Sequence, residues 1–95
     1  MDSYGASSRM LKILGHPLRL KIAVGLVNQP KCVRDIWSCL DLPQAVVSQH
    51  LAMMKAGGII AGTRHGVEMH YTVIDPLAKV IIDFLDQNFN HLPRF

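Results

Sequence analysis

The sequence predicts a mostly α domain that carries one β-hairpin towards its C-terminal end. Three observations lead there. Apolar residues recur at helical spacing in five segments, and glycine or proline punctuates the gaps at Gly15-His16-Pro17, Gln29-Pro30, Leu42-Pro43, Gly57-Gly58 and Asp75-Pro76. Two β-prone runs, 59–64 and 67–73, flank His65-Gly66. The chain has 95 residues, 49% of them hydrophobic and 18% charged, which suits one domain over 1–95 and is too apolar for a disordered chain.

The elements follow in order. Residues 8–14 read as a short helix with Met10, Ile13 and Leu14 on one side. Pro17 suits the first turn of a second helix, because a missing N–H costs nothing there. Leu18, Ile22, Leu26 and Val27 give that helix its stripe as far as Asn28. A third helix spans 32–40, with Val33, Ile36, Trp37 and Leu40 inward, and Asp41-Leu42-Pro43 makes a short turn into a fourth, 44–56. Val47, Leu51 and Met54 line the buried side of this fourth helix. Its other side carries Gln44, Ala45, Ser48, Gln49 and Ala52, which are polar or small and uncharged. Amides and hydroxyls on a background of alanine are what a helix in a DNA major groove needs; an ordinary polar surface is the alternative. The hairpin over 59–73 brings Arg64 and His65 to its tip, where a basic side chain reaches phosphate or the minor groove. The last helix, 75–92, carries a long apolar stripe of Leu77, Val80, Ile81, Phe84, Leu85 and Phe89, continued by Leu92. That stripe fits a homodimer interface formed with the N-terminal helix, or else packing within the chain.

Charge and composition narrow the function. The net charge is +3, with eight basic and four acidic residues in 1–73 against two and three in 74–95, so a polyanion would meet the body of the chain. Cys32 and Cys39, spaced C-x6-C, are neither a disulfide framework nor a paired zinc knuckle. No apolar run is long enough to span a membrane and the N-terminus has no secretory apolar region, so a reduced cytoplasmic protein is expected. H-E-x-x-H, G-x-S-x-G, a phosphate loop and C-x-x-C are all absent, which argues against an enzyme. A winged helix that binds protein rather than DNA is the other alternative; the neutral face of 44–52 and Arg64 argue against it.

Four motifs, in order, resemble the ArsR/SmtB winged helix-turn-helix repressors. Leu14-Gly15-His16-Pro17-Leu18-Arg19-Leu20-Lys21-Ile22 resembles their L-x-H-P-x-R-L-x-I opening. Val46-Val47-Ser48-Gln49-His50-Leu51 is similar to A-V-S-x-H-L of the recognition helix, and Lys55-Ala56-Gly57-Gly58-Ile59-Ile60 to its exit. Arg64-His65-Gly66 with Tyr71 resembles the wing. The resemblance covers roughly residues 8–90. It implies a homodimer on double-stranded DNA with an inverted-repeat operator, released by a metal, metalloid or thiol-reactive inducer. The helix-turn-helix would be 32–56, the wing 59–73, and the dimerisation helices 8–14 and 75–92. Gln44, Ser48 and Gln49 are then the candidates for base contacts. Arg34, Lys55, Arg64 and His65 are candidates for the backbone, and His50 either contacts DNA or orients the protein's own chain. Where the family has Ser-Gln-Pro, this chain has Pro43-Gln44-Ala45, so the helix start loses its usual Ser cap and Asp41 is expected to replace it.

The inducer is less legible. Arsenic-sensing members carry Cys-Val-Cys-Asp; here Cys32-Val33-Arg34-Asp35 keeps one thiol and adds a guanidinium, so a three-sulfur site is absent. At the positions of the zinc-sensing ligands stand Asp75, Leu77, Asn88 and His91, which leaves Asp75 and His91 as weak metal candidates. His65 and His70 with Glu68 offer a further metal possibility, as do ordinary solvated hairpin residues. Cys32, at a helix start beside Lys31 and Arg34, is the candidate thiol sensor, or else an exposed cysteine without a role. Cys39 reads as a second possible sensor or as a small core residue.

Overall fold

The computed structural model describes residues 3–27 and 31–88. Phe89, His91 and Leu92 lie outside the described residues, as do the side chains of Val33, Trp37 and Cys39. The elements are α1 (Ser3–Leu14), α2 (Pro17–Leu26), β1 (Lys31–Cys32), α3 (Val33–Leu40), α4 (Gln44–Ala56), β2 (Ile60–His65), β3 (Glu68–Val73) and α5 (Pro76–Asn88).

The first helix is longer than the expected 8–14, since no proline interrupts 3–7 and the chain stays helical back to Ser3. At α2, Pro17 takes the first turn and His16 caps it, the His16 Nδ1 accepting from the Leu18 N–H at 3.1 Å. The third helix starts later than expected. Lys31 and Cys32 pair with Tyr71 and His70 of β3, and that ladder holds them in extended geometry until Val33. The sheet therefore has three antiparallel strands in the order β1-β3-β2, one more than the hairpin foreseen.

The exit of α4 is built by Gly58. At φ +75° it lets the Ile59 N–H reach the Met54 carbonyl and its own N–H reach the Lys55 carbonyl, both at 3.0 Å. Met54 and Ile59 are both buried in the same core cluster, which anchors the turn at both ends. The hairpin turn is Gly66-Val67, with Gly66 at φ +66° in the first turn position.

The core gathers Met10 and Leu14 of α1, Ile22 and Leu26 of α2, and Ile36 of α3. It is completed by Val47, Leu51 and Met54 of α4, by Ile59, Ile60 and Val73 of the wing, and by Ala78 and Ile82 of α5. Each large aliphatic side chain buried there stabilises the fold by about 1.5–3 kcal/mol. The inner face of α5 is thus Ala78 and Ile82. Part of the stripe read from the sequence faces the other way: Leu77, Val80 and Phe84 are 46%, 65% and 62% exposed, whereas Ile81 packs against the core and Leu85 is intermediate. Tyr4 and Leu11 of α1 are exposed as well. Among the described residues no helix is long and apolar enough to cross a membrane.

Candidate nucleic-acid interface

Helical periodicity divides α4 cleanly. Val47, Leu51 and Met54 anchor it to the core, and Gln44, Ala45, Ser48, Gln49 and Ala52 are exposed on the opposite side. Its start has no side-chain cap. The Val46 and Val47 N–H groups both donate to the Pro43 carbonyl, at 3.1 and 3.3 Å. Asp41 does not take the capping role expected of it. It sits at φ 55° and donates its own N–H to the Ser38 carbonyl at 3.3 Å, so it terminates α3 instead.

An open groove of about 910 Å³ lies between the start of α3, the first turns of α4 and the wing. Arg34, Gln44, Ser48, His65 and Glu68 line it, which brings five residues from four elements around one concavity. Arg64 is not among the lining residues. It precedes His65 on β2, and consecutive strand residues point to opposite faces, so only one of the two can turn towards α4. Gln49 and Lys55 are exposed on α4 outside the groove.

One charged residue of the groove escaped the sequence reading as part of this face. Glu68 opens β3 directly opposite His65, and its Oε2 accepts from Arg34 Nη2 at 2.6 Å. Its Oε1 lies 3.7 Å from His70 Nε2, and the His65 and His70 rings are 4.4 Å apart. The alternation of β3 places 68 and 70 on one face; the link to Arg34 spans 34 residues and leaves no local signature.

His50 is turned away from the groove. It is half-buried against α2, where its Nδ1 accepts from Arg19 Nε at 3.3 Å and its ring lies 4.7 Å from that of His16. Arg19 Nη1 donates in turn to the Ile13 carbonyl at 3.1 Å, so one chain of contacts ties the end of α1, the start of α2 and the middle of α4. His50 is thereby tied to α2 and helps to position α4. Burial, then the neighbouring His16 and Arg19, hold its pKa below the ordinary 6.5. The unfolded chain titrates at that ordinary value, so it takes up the proton first as the pH falls. Stability is therefore expected to decline downwards from about pH 6.5 until folded His50 also protonates. Urea midpoints at ~pH 7.5 and ~pH 5.5 check this, and His50→Gln should flatten the difference.

The candidate sensor and metal residues are placed differently from expectation. Cys32 is 4% exposed and sits on β1, beneath the groove, where it pairs with His70; it is not an exposed thiol at a helix start. The ladder of β1 with β3 is the cause. Asp75 caps α5, its Oδ1 accepting from the Leu77 and Ala78 N–H groups at 2.9 and 3.0 Å, a role worth about 1 kcal/mol. Among the described residues no group of three or more His, Cys, Asp or Glu is placed to hold a metal ion, and His65, Glu68 and His70 do not form one.

Comparison with known proteins fits this geometry. A model of the arsR family of bacterial regulatory proteins matches residues 16–61, from the cap of α2 into β2. The chain is 37% identical over 79 residues to the HTH-type transcriptional repressor SmtB of Mycobacterium tuberculosis, covering 82% of this chain and 58% of that protein. It thus spans little more than half of that relative's length. It is 38% identical over 80 residues to the transcriptional repressor PagR of Bacillus anthracis, covering 83% of this chain and 80% of that one. The PagR crystal structure superposes with a TM-score of 0.81 at 36% identity, over 87% of this chain and 95% of that one. HlyU from Vibrio cholerae superposes with a TM-score of 0.90 at 25% identity, over 96% and 100% of the two chains. The architecture is that of a winged helix-turn-helix, with α3 and α4 as the helix pair and β2–β3 as the wing.

Proposed function

The chain belongs to the arsR family of bacterial regulatory proteins, and on that premise we propose that it is a dimeric, sequence-specific DNA-binding repressor of transcription, working in the cytoplasm. The observation that carries this reading is the exposed, uncharged, hydrogen-bonding face of α4 beside an open groove flanked by the wing. Gln44, Ser48 and Gln49 would read base edges in the major groove. Arg34, His65, Lys55 and Arg64 would hold the sugar-phosphate backbone on either side of them.

Self-association is supported by the apolar face of α5 that the protomer leaves uncovered, together with Tyr4 and Leu11 of α1. Two copies would then place their α4 helices in successive major grooves of an inverted repeat. SmtB and PagR are named as repressors, and repression is the sense assigned to this chain. A small inducer would release the DNA. Cys32 under the groove is where a thiol-reactive inducer would act, and Cys32→Ser would abolish release by such an agent.

The test is fluorescence anisotropy with a duplex from upstream of the protein's own gene and a shuffled duplex of equal composition. Preferential binding to the upstream duplex, with a log–log salt slope near −7 for ~8 phosphate contacts, is the expected result. Equal affinity for the two duplexes, or no salt dependence, overturns sequence-specific DNA binding.

A further inference from the structure

We propose that Glu68 is a carboxylate competitor within the DNA face: it occupies Arg34 in the free protein and gives way to a DNA phosphate on binding, which sets how tightly the backbone is held. The inference rests on reading the groove as the DNA face. Among the described residues that line this groove, Glu68 is the only carboxylate, and it stands where the wing and the start of α3 face the same concavity. A negative charge at that place opposes every phosphate that approaches.

The Arg34–Glu68 pair is built to exchange partners. Arg34 is 72% exposed at its side chain and Glu68 37%, so water screens the attraction and the pair holds the wing only weakly. One guanidinium nitrogen, Nη2, takes part in the bond. A phosphate can take a guanidinium through two parallel N–H donors, which makes it the stronger partner. Glu68 has somewhere to go when Arg34 leaves, because its second oxygen already lies 3.7 Å from His70 Nε2 on the same strand face. The wing backbone need not move, since β3 is paired on both sides, with β1 and with β2.

The salt dependence of binding distinguishes this role from a structural one. While Glu68 neutralises Arg34, the contact Arg34 makes with phosphate releases no net counterion. Replacing the carboxylate restores that release. Glu68→Gln should therefore bind both the upstream and the shuffled duplex more tightly and to the same degree. The gain should be about fivefold to tenfold per Glu68 removed at ~0.1 M salt, with the log–log slope steeper by about 0.9 for each. The thermal midpoint should stay unchanged. Asp35→Asn, which removes one exposed acid of α3 that does not line the groove, should leave affinity and slope close to those of the parent.

Weaker or unchanged binding by Glu68→Gln overturns the proposal and makes Glu68 a fastener of the wing. An equal gain from Asp35→Asn overturns it too, because net charge alone would then explain the effect. A gain confined to the upstream duplex would mean that Glu68 reads a base instead. If the parent protein binds neither duplex, the DNA reading itself fails, and that result is distinct from the other three.

Discussion

Phe84→Asp should yield a monomer that holds the upstream duplex at least roughly a hundredfold more weakly than the parent protein. Phe84 is 62% exposed in the protomer and stands in line with Leu77 and Val80, at helical spacing on the outer side of α5. In a dimer that side would be buried against its copy. A carboxylate there meets apolar surface twice, once from each subunit, with no partner to offset its desolvation. The protomer itself should survive, because its own core uses Ala78 and Ile82 on the inner side. DNA affinity falls with the dimer because two linked recognition helices gain an effective concentration that a single one lacks, commonly a factor of about 10²–10⁴. Sedimentation velocity reads the oligomeric state and anisotropy reads the affinity. A variant that stays dimeric, or a monomer that binds as well as the parent, removes α5 from the interface.

The double variant Ser48→Ala with Gln49→Ala should lose specific binding and keep the rest. Both side chains are exposed on α4, and neither is needed by the core. A well-placed amide or hydroxyl contact with a base edge discriminates by about 1–3 kcal/mol. Loss of both should weaken binding to the upstream duplex by at least roughly a hundredfold and leave the shuffled duplex within about twofold. The salt slope should not change, since no charge has been removed. This is the reverse of the pattern expected of Glu68→Gln, so the two variants separate base reading from backbone holding on one assay. Equal losses on both duplexes would move the reading face away from Ser48 and Gln49.

The helices were legible because their signals are local. Val47, Leu51 and Met54 repeat within a few residues, and the Gly57-Gly58 exit and the Gly66 turn carry their own conformational requirement. What the sequence hid depends on residues far apart. Nothing in Lys31-Cys32 alone marks a strand; the pairing with Tyr71 and His70 makes it one, and so moves Cys32 from an expected helix start to a buried position. The Arg19–His50 bond spans 31 residues, and it is this distant partner that ties His50, left open between two roles in the sequence, to α2. The same holds for Glu68, which reads as a hairpin residue until Arg34 is seen beside it. Asp41 and Asp75 make a further contrast. Both precede helices, yet only Asp75 caps the one that follows, because Asp41 is spent on ending α3 in a left-handed conformation.

The short strand β1 also bears on the order of assembly. Lys31 and Tyr71 are 40 residues apart, from 31 to 71, and their pairing closes a loop that contains all of α3, α4 and β2. Closing so long a loop from an unstructured chain is entropically costly, whereas closing it after the intervening helices have packed is much less so. The three-stranded sheet is therefore expected to complete late, after the helix pair and the β2–β3 hairpin have formed from their near-neighbour contacts. Substitutions at β1 should accordingly speed unfolding while leaving the folding rate nearly untouched.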